Sequence, residues 1–94
     1  MKEIQLNGAK MFDKASTHAY LKRKLALPDY YGENLDALWD CLSTDMELKK
    51  ITIYKSQTII ENLGPYGEAL ITLFQEVSEE NDCIQVEIES DNSI

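Results

Sequence analysis

The sequence has little of what enzymes, metal sites and membrane proteins are made from. It holds one histidine, His18, and no Cys, Ser or Lys has an evident base beside it, so no nucleophile–base pair can be read from it. Its four glycines form no phosphate-cradling loop. The two cysteines, Cys41 and Cys83, lie far apart and match neither CxxC nor zinc-ligand spacing. Free thiols packed as small hydrophobes are expected, with no metal and no cofactor. No apolar run approaches the roughly 20 residues that cross a bilayer. The N-terminus, Met1-Lys2-Glu3-Ile4-Gln5-Leu6-Asn7-Gly8, carries charge where a secretion signal needs an apolar stretch, so a cytoplasmic protein is expected. Basic residues are scarce as well: nine face seventeen acids, for a formal net charge of −8. Such a chain repels nucleic acid and anionic membranes and attracts basic partners. Solubility alone would explain the same surplus, and charge does not decide between the two.

What the chain does have is the patterning of one small α/β domain spanning residues 1–94. A hydrophobic share of 44% beside 28% charged residues is ordinary for a globular protein of 94 residues, too short to divide into two cores. Three short stretches alternate with period two: Ile4/Leu6, Ile51/Ile53, and Ile84/Val86/Ile88. Helical regions separate them, which implies βαβ crossovers and a parallel sheet. Strict alternation further predicts a sheet with helices on one face and a partly wet second face. Four helices are predicted. The first starts after the N-cap Asp13 and ends at Leu27 before Pro28, and the second runs from Leu35 to about Ser43 behind Asn34. The third covers Ser56 to Asn62 and stops at Gly64-Pro65; the fourth runs from about Gly67 to Asn81, with Leu70, Leu73, Phe74 and Val77 on one face. The polar tail from Glu89 to Ile94 is expected to fray.

The unusual stretch is Pro28-Asp29-Tyr30-Tyr31-Gly32-Glu33-Asn34-Leu35-Asp36-Ala37-Leu38-Trp39-Asp40-Cys41-Leu42. Leu35, Leu38 and Leu42 follow the spacing of a buried stripe, which turns Asp36, Trp39 and Asp40 together onto another face. Like charges four apart cost a few tenths of a kcal/mol, and an acid near a helix C-terminus costs about as much again. A tryptophan between two carboxylates, with Tyr30 and Tyr31 one loop away, is typical of an interface. The residues alone allow a second arrangement, in which Trp39 folds inward and the aspartates are merely solvated.

The segment from Leu25-Ala26-Leu27 through Leu42 resembles, nearly residue for residue, the signature of the barstar family of ribonuclease inhibitors. A looser likeness extends over the N-terminal strand ending in Asn7-Gly8, over Leu73-Phe74-Gln75-Glu76, and over a last strand opening near Cys83. The resemblance implies the family's fold, a three-stranded parallel sheet with four helices. It also implies a partner: a small, basic, secreted barnase-like ribonuclease, bound one to one in the cytoplasm of the bacterium that makes it. By the same resemblance, Asp40 is the central carboxylate in the enzyme's phosphate pocket, and Asp36 and Glu76 meet a further basic residue at its rim. Tyr30 packs on the catalytic histidine, Gly32, Asn34, Leu35 and Trp39 line the contact, and Tyr31 lies beside them. Thr44-Asp45 depart from the pattern, since the family commonly has a small residue and a second tryptophan there. This removes an aromatic contact and adds an anion.

The function expected is therefore inhibition of a ribonuclease by an acidic helix face that imitates RNA phosphates. Two alternatives remain: an antitoxin-like binder of another basic nuclease or toxin, and an acidic interaction module without inhibitory activity. An enzyme is disfavoured by the missing nucleophile–base pair.

Overall fold

The structure, a computed structural model, describes residues 1–89. The chain forms β1 (Lys2–Asn7), α1 (Lys14–Lys24), α2 (Leu35–Ser43), β2 (Lys49–Tyr54), α3 (Ser56–Leu63), α4 (Pro65–Glu80) and β3 (Ile84–Ile88), with one 3-10 turn at Gly8–Lys10 that the sequence reading did not foresee. The strands lie in the order β1-β2-β3 and every pairing is parallel. Two helices fill each crossover, so this is the three-stranded, four-helix α/β architecture that the alternation implied.

Register explains the two faces. Leu6 stands opposite Ile53, and Ile53 opposite Ile88, so the apolar positions of all three strands line up on one side. There Ile4, Leu6, Ile51, Ile53 and Ile84 are buried, in one cluster with Leu21, Leu38, Leu42, Phe74 and Val77 from the helices. The alternate positions Glu3, Gln5, Gln85 and Glu87 are exposed on the two edge strands. Thr52, in the central strand, is buried between its neighbours, and Lys50 Nζ pairs with Glu87 Oε2 at 3.3 Å across that polar face.

Helix ends differ from expectation where turn geometry outweighs proline. α1 stops at Lys24, three residues before the predicted Leu27. Ala26 takes φ 52°, and the Leu27 N–H donates to the Lys22 carbonyl at 3.0 Å, a left-handed cap that closes the helix early. Lys22, Arg23 and Lys24 crowd that last turn, where cations favour the negative helix end. The other end of α1 is as predicted: the Asp13 carboxylate accepts from Ser16 N at 2.8 Å. That backbone donor, with the Ser16 hydroxyl, holds the Asp13 carboxyl below its ordinary range. α4 begins at Pro65, two residues before the predicted Gly67, because proline at the first helical position lacks only an N–H that would have no partner there. Glu89 is not frayed, since its N–H donates to the Ile53 carbonyl at 2.8 Å and its carbonyl accepts from Ser56 N at 3.0 Å. The rest of the expected frayed tail, residues 90–94, lies outside the described residues.

α3 and α4 are joined at Gly64, and their backbones come close at Gly67. A Cβ there would lie 2.6 Å from the Ile59 carbonyl oxygen. Gly67→Ala therefore reverses an ordinary helix rule. In an exposed helix interior the change would stabilise by about 1 kcal/mol, but here overpacking is expected to destabilise by about 1–3 kcal/mol. Urea midpoints of the two proteins check the sign; a higher midpoint for the alanine variant would contradict the close approach.

Candidate functional site

The site begins with how α2 is started. Asn34 caps it in extended geometry, with Oδ1 accepting from Ala37 N at 2.8 Å and Nδ2 donating to the Gly32 carbonyl at 3.2 Å. Glu33, just before, has φ 54°, a left-handed conformation that costs a non-glycine residue energy and bends the chain sharply into the helix. With the start fixed, Leu38 and Leu42 are buried and Leu35 packs half-buried against the same core. Asp36 and Asp40, four residues apart, then face solvent together. Glu76 is exposed on α4, the helix that packs against α2. Among the described residues, the ion pairs involve Asp45, Glu47 and Glu87, so the carboxylates of Asp36, Asp40 and Glu76 have no cation of their own.

The two tyrosines before the helix separate. Tyr30 is 83% exposed, whereas Tyr31 is 6% exposed and belongs to the core. Tyr31 thus does not join the exposed set in which the sequence reading placed it. The turn at Asp29-Tyr30, closed by the Tyr31 N–H donating to the Pro28 carbonyl at 3.0 Å, separates the two rings, and the inner position offers a hydrogen-bond partner: the Tyr31 hydroxyl lies 2.5 Å from Nδ1 of His18, itself 1% exposed. On the other side of that imidazole, Nε2 lies 2.6 Å from the Tyr66 hydroxyl. Burial pushes His18 below its ordinary pKa, an effect the Glu33 carboxylate opposes in part, and it pushes both tyrosines upward. This His–Tyr–Tyr cluster went unforeseen. A signal was present, because His18, Leu21 and Leu25 share the i, i+3, i+7 spacing of a buried stripe.

Trp39 also differs from the exposed residue expected. It is half-buried and packs against the core. It stands four after Leu35 and three before Leu42, so it flanks the buried stripe and its large ring widens it. Its remaining exposed edge still adjoins Asp36 and Asp40 along the helix.

The turn after α2 is tied down from outside. The Asn81 amide donates to the carbonyls of Leu42 at 2.9 Å, Ser43 at 3.3 Å and Asp45 at 2.7 Å. The Thr44 hydroxyl donates to the Asp40 carbonyl at 2.6 Å, and the Glu47 N–H donates to Asp45 Oδ1 at 2.9 Å. Asp45 forms an ion pair with the buried Lys49 four residues on. Burial opposes ionisation of Asp45, but the hydrogen bonds from Lys49 and Glu47 outweigh it and leave the carboxyl below its ordinary range. The extra anion that sequence comparison suggested here is therefore turned inward and neutralised, while Met46 beside it is 86% exposed. Cys41 and Cys83 are free and half-buried. Burial, then the charges of Asp40 and Asp45, raise the Cys41 thiol, which makes it a poor nucleophile. Among the described residues no group of three or more His, Cys, Asp or Glu side chains is arranged to hold a metal, and no helix is long and apolar enough to cross a membrane.

Comparison with known proteins identifies the family. The family model described as Barstar (barnase inhibitor) matches residues 1–90. A Bacillus subtilis (strain 168) protein, named "Putative ribonuclease inhibitor YrdF", is 38% identical over 81 residues, which cover 85% of this chain and 89% of that protein. With this fold and a match along nearly its whole length, the chain belongs to the barstar family, whose members are inhibitors rather than enzymes.

Proposed function

We propose that this chain binds a small basic ribonuclease of the barnase-like class, one to one, and blocks it by occupying the active site. The observation that carries the reading is the pair of exposed, unpaired carboxylates, Asp36 and Asp40, presented four residues apart by a helix whose opposite face is locked into the core. A ribonuclease active site concentrates cations to hold phosphates. Two anions with Cβ atoms about 5–6 Å apart on one rigid helix can meet such a set at small entropic cost. Charge-assisted bonds from arginine or lysine to carboxylate are the strong class of hydrogen bond. Carboxylates imitate the phosphates electrostatically yet offer no ester to cleave.

In this reading Asp40 enters the phosphate pocket, while Asp36 and Glu76 meet cations at its rim. Tyr30 lays its exposed ring on the catalytic histidine, and Gly32, Asn34, Leu35 and the free edge of Trp39 complete the contact. The Asn34 side chain is already committed to capping α2, so its contribution is chiefly to orient the helix. The protein acts in the cytoplasm, where it meets a secreted enzyme before export.

Substrate-competitive inhibition that is complete at about one equivalent is expected when RNA hydrolysis by barnase-type enzymes is titrated with this protein. Association is expected to slow as salt rises, because a chain of net charge −8 meets a basic enzyme through charges screened over about 10 Å at 0.1 M ionic strength. Full activity at several-fold molar excess, over several such enzymes, would overturn the reading.

Asp40→Ala and Asp13→Ala are expected to behave oppositely. Removing Asp40 from the complex strands desolvated cations, and truncating one partner of such a pair costs about 2–5 kcal/mol, a range that itself draws on the barstar family's own complex. The variant should nevertheless fold at least as well as the parent, since Asp40 repels Asp36 and opposes the helix dipole while alanine is the better helix former. Asp13→Ala loses the α1 cap and should lower the urea midpoint with binding unchanged. Dissociation constants and urea midpoints at one salt concentration decide it. An Asp40→Ala variant that binds within threefold of the parent would place Asp40 outside the contact.

A further inference from the structure

His18 joins three segments that are distant in sequence. It projects from α1, its Nδ1 meets the hydroxyl of Tyr31 in the loop before α2, and its Nε2 meets the hydroxyl of Tyr66 in the first turn of α4. A neutral imidazole has one donor and one acceptor, so the two contacts must run in opposite senses. Tyr31 is buried, and its hydroxyl has no other partner among the described residues. A buried donor needs an acceptor, so the Tyr31 O–H donates to Nδ1. Nε2 then carries the ring hydrogen and donates to the Tyr66 oxygen. Tyr66 is only half-buried, which leaves its own proton free to reach water.

The loop so anchored is the one that carries Tyr30. It runs between two non-glycine residues in left-handed conformation, Ala26 at φ 52° and Glu33 at φ 54°. Its internal bonds are few: Tyr31 N–H to the Pro28 carbonyl at 3.0 Å, and the Asn34 amide to the Gly32 carbonyl. Such a segment keeps its shape only if something outside it does the holding. The buried Tyr31 ring supplies the packing, and His18 supplies the direction.

We infer that His18 is a positioning residue for the partner-binding loop: by accepting from Tyr31 and donating to Tyr66, its neutral ring keeps residues 28–34 in the arrangement that turns Tyr30 outward. The role rests on the ribonuclease reading for what the loop binds, but not for how the loop is held.

Protonation reverses the arrangement. Both ring nitrogens become donors, and the Tyr31 proton loses its acceptor. The groups around the ring decide when this happens. From the loop, Glu33 favours the cation, and Lys14 of α1 stands over the far neighbour Tyr66, 4.6 Å from its ring centroid. Tyr31, Tyr66 and the Cys41 thiol of α2 are all shifted upward and stay neutral. Burial outweighs Glu33, so the folded-state pKa lies below the ordinary 6.5. The unfolded chain then binds the proton first. Stability is level above about 6.5 and declines as pH falls, until the folded-state pKa is passed.

The test uses the intact protein and its Tyr31→Phe, Tyr66→Phe and His18→Gln variants. Tyr31→Phe keeps the buried ring and removes only the hydroxyl. It is expected to dissociate from ribonuclease roughly three- to tenfold faster, the range of one net hydrogen bond, with its association rate unchanged. The amide at position 31 should exchange faster as well. Nitrogen-detected NMR of the single histidine should show hydrogen on Nε2 and not on Nδ1 at pH 7. His18→Gln, which replaces the ring, should likewise exchange the amide at position 31 faster than the parent. A Nδ1–H tautomer, or a Tyr31→Phe variant with parental dissociation and exchange rates, would overturn the role given to His18. A parent protein that leaves ribonuclease activity untouched overturns the inhibitor reading instead, and the tautomer and the exchange rates still decide whether His18 holds the loop.

Discussion

The rotation of α2 about its own axis sets what the rest of the molecule can present. Leu38 and Leu42 can be buried in only one phase of the helix, and Asn34 fixes where that phase begins. Every outward residue follows from these two constraints. With 3.6 residues per turn, Asp36 and Asp40 must face the same way, whatever else they touch. Their mutual repulsion and the poor placement of Asp40 in the helix dipole are small costs, a few tenths of a kcal/mol each. Burying two leucines is worth several times more. The core therefore imposes an electrostatically unfavourable surface.

Order on both sides of α2 is kept by polar groups aimed inward. Before the helix, His18 takes Tyr31 and leaves Tyr30 to solvent. After it, Asn81 reaches three carbonyls of the following turn with a single amide group. Both devices join residues more than ten positions apart in sequence, so the geometry of the face is enforced by the whole fold and not by α2 alone. A short helix of nine residues would be marginal in isolation and could not supply that rigidity itself.

What could be read in the sequence follows from this. Period-two and helical spacing depend on local chemistry, and they gave the strands, the parallel topology, the four helices and the leucine stripe of α2. Contacts that depend on distant residues were not legible. Tyr30 and Tyr31 are chemically alike and adjacent, and only the position of His18 tells which turns inward. The residues left open whether Trp39 faces solvent or core, because a stripe drawn through leucines alone does not allow for the area that an indole covers. The end of α1 was misplaced because a left-handed alanine carries no sequence signature, unlike glycine.

The surplus of negative charge also divides by fold position. The departure at Thr44-Asp45 would be expected to add an anion to the acidic face, but Asp45 pairs with buried Lys49 and Glu47 stands beside the same ammonium at 3.5 Å. Glu87 is met by Lys50 on the polar side of the sheet. These cations all belong to β2, whose neighbours therefore find internal partners. α2 contains no basic residue, and neither does α4, and among the described residues no ion pair reaches Asp36, Asp40 or Glu76. The acidic face is thus defined less by where the acids are than by where the lysines are not.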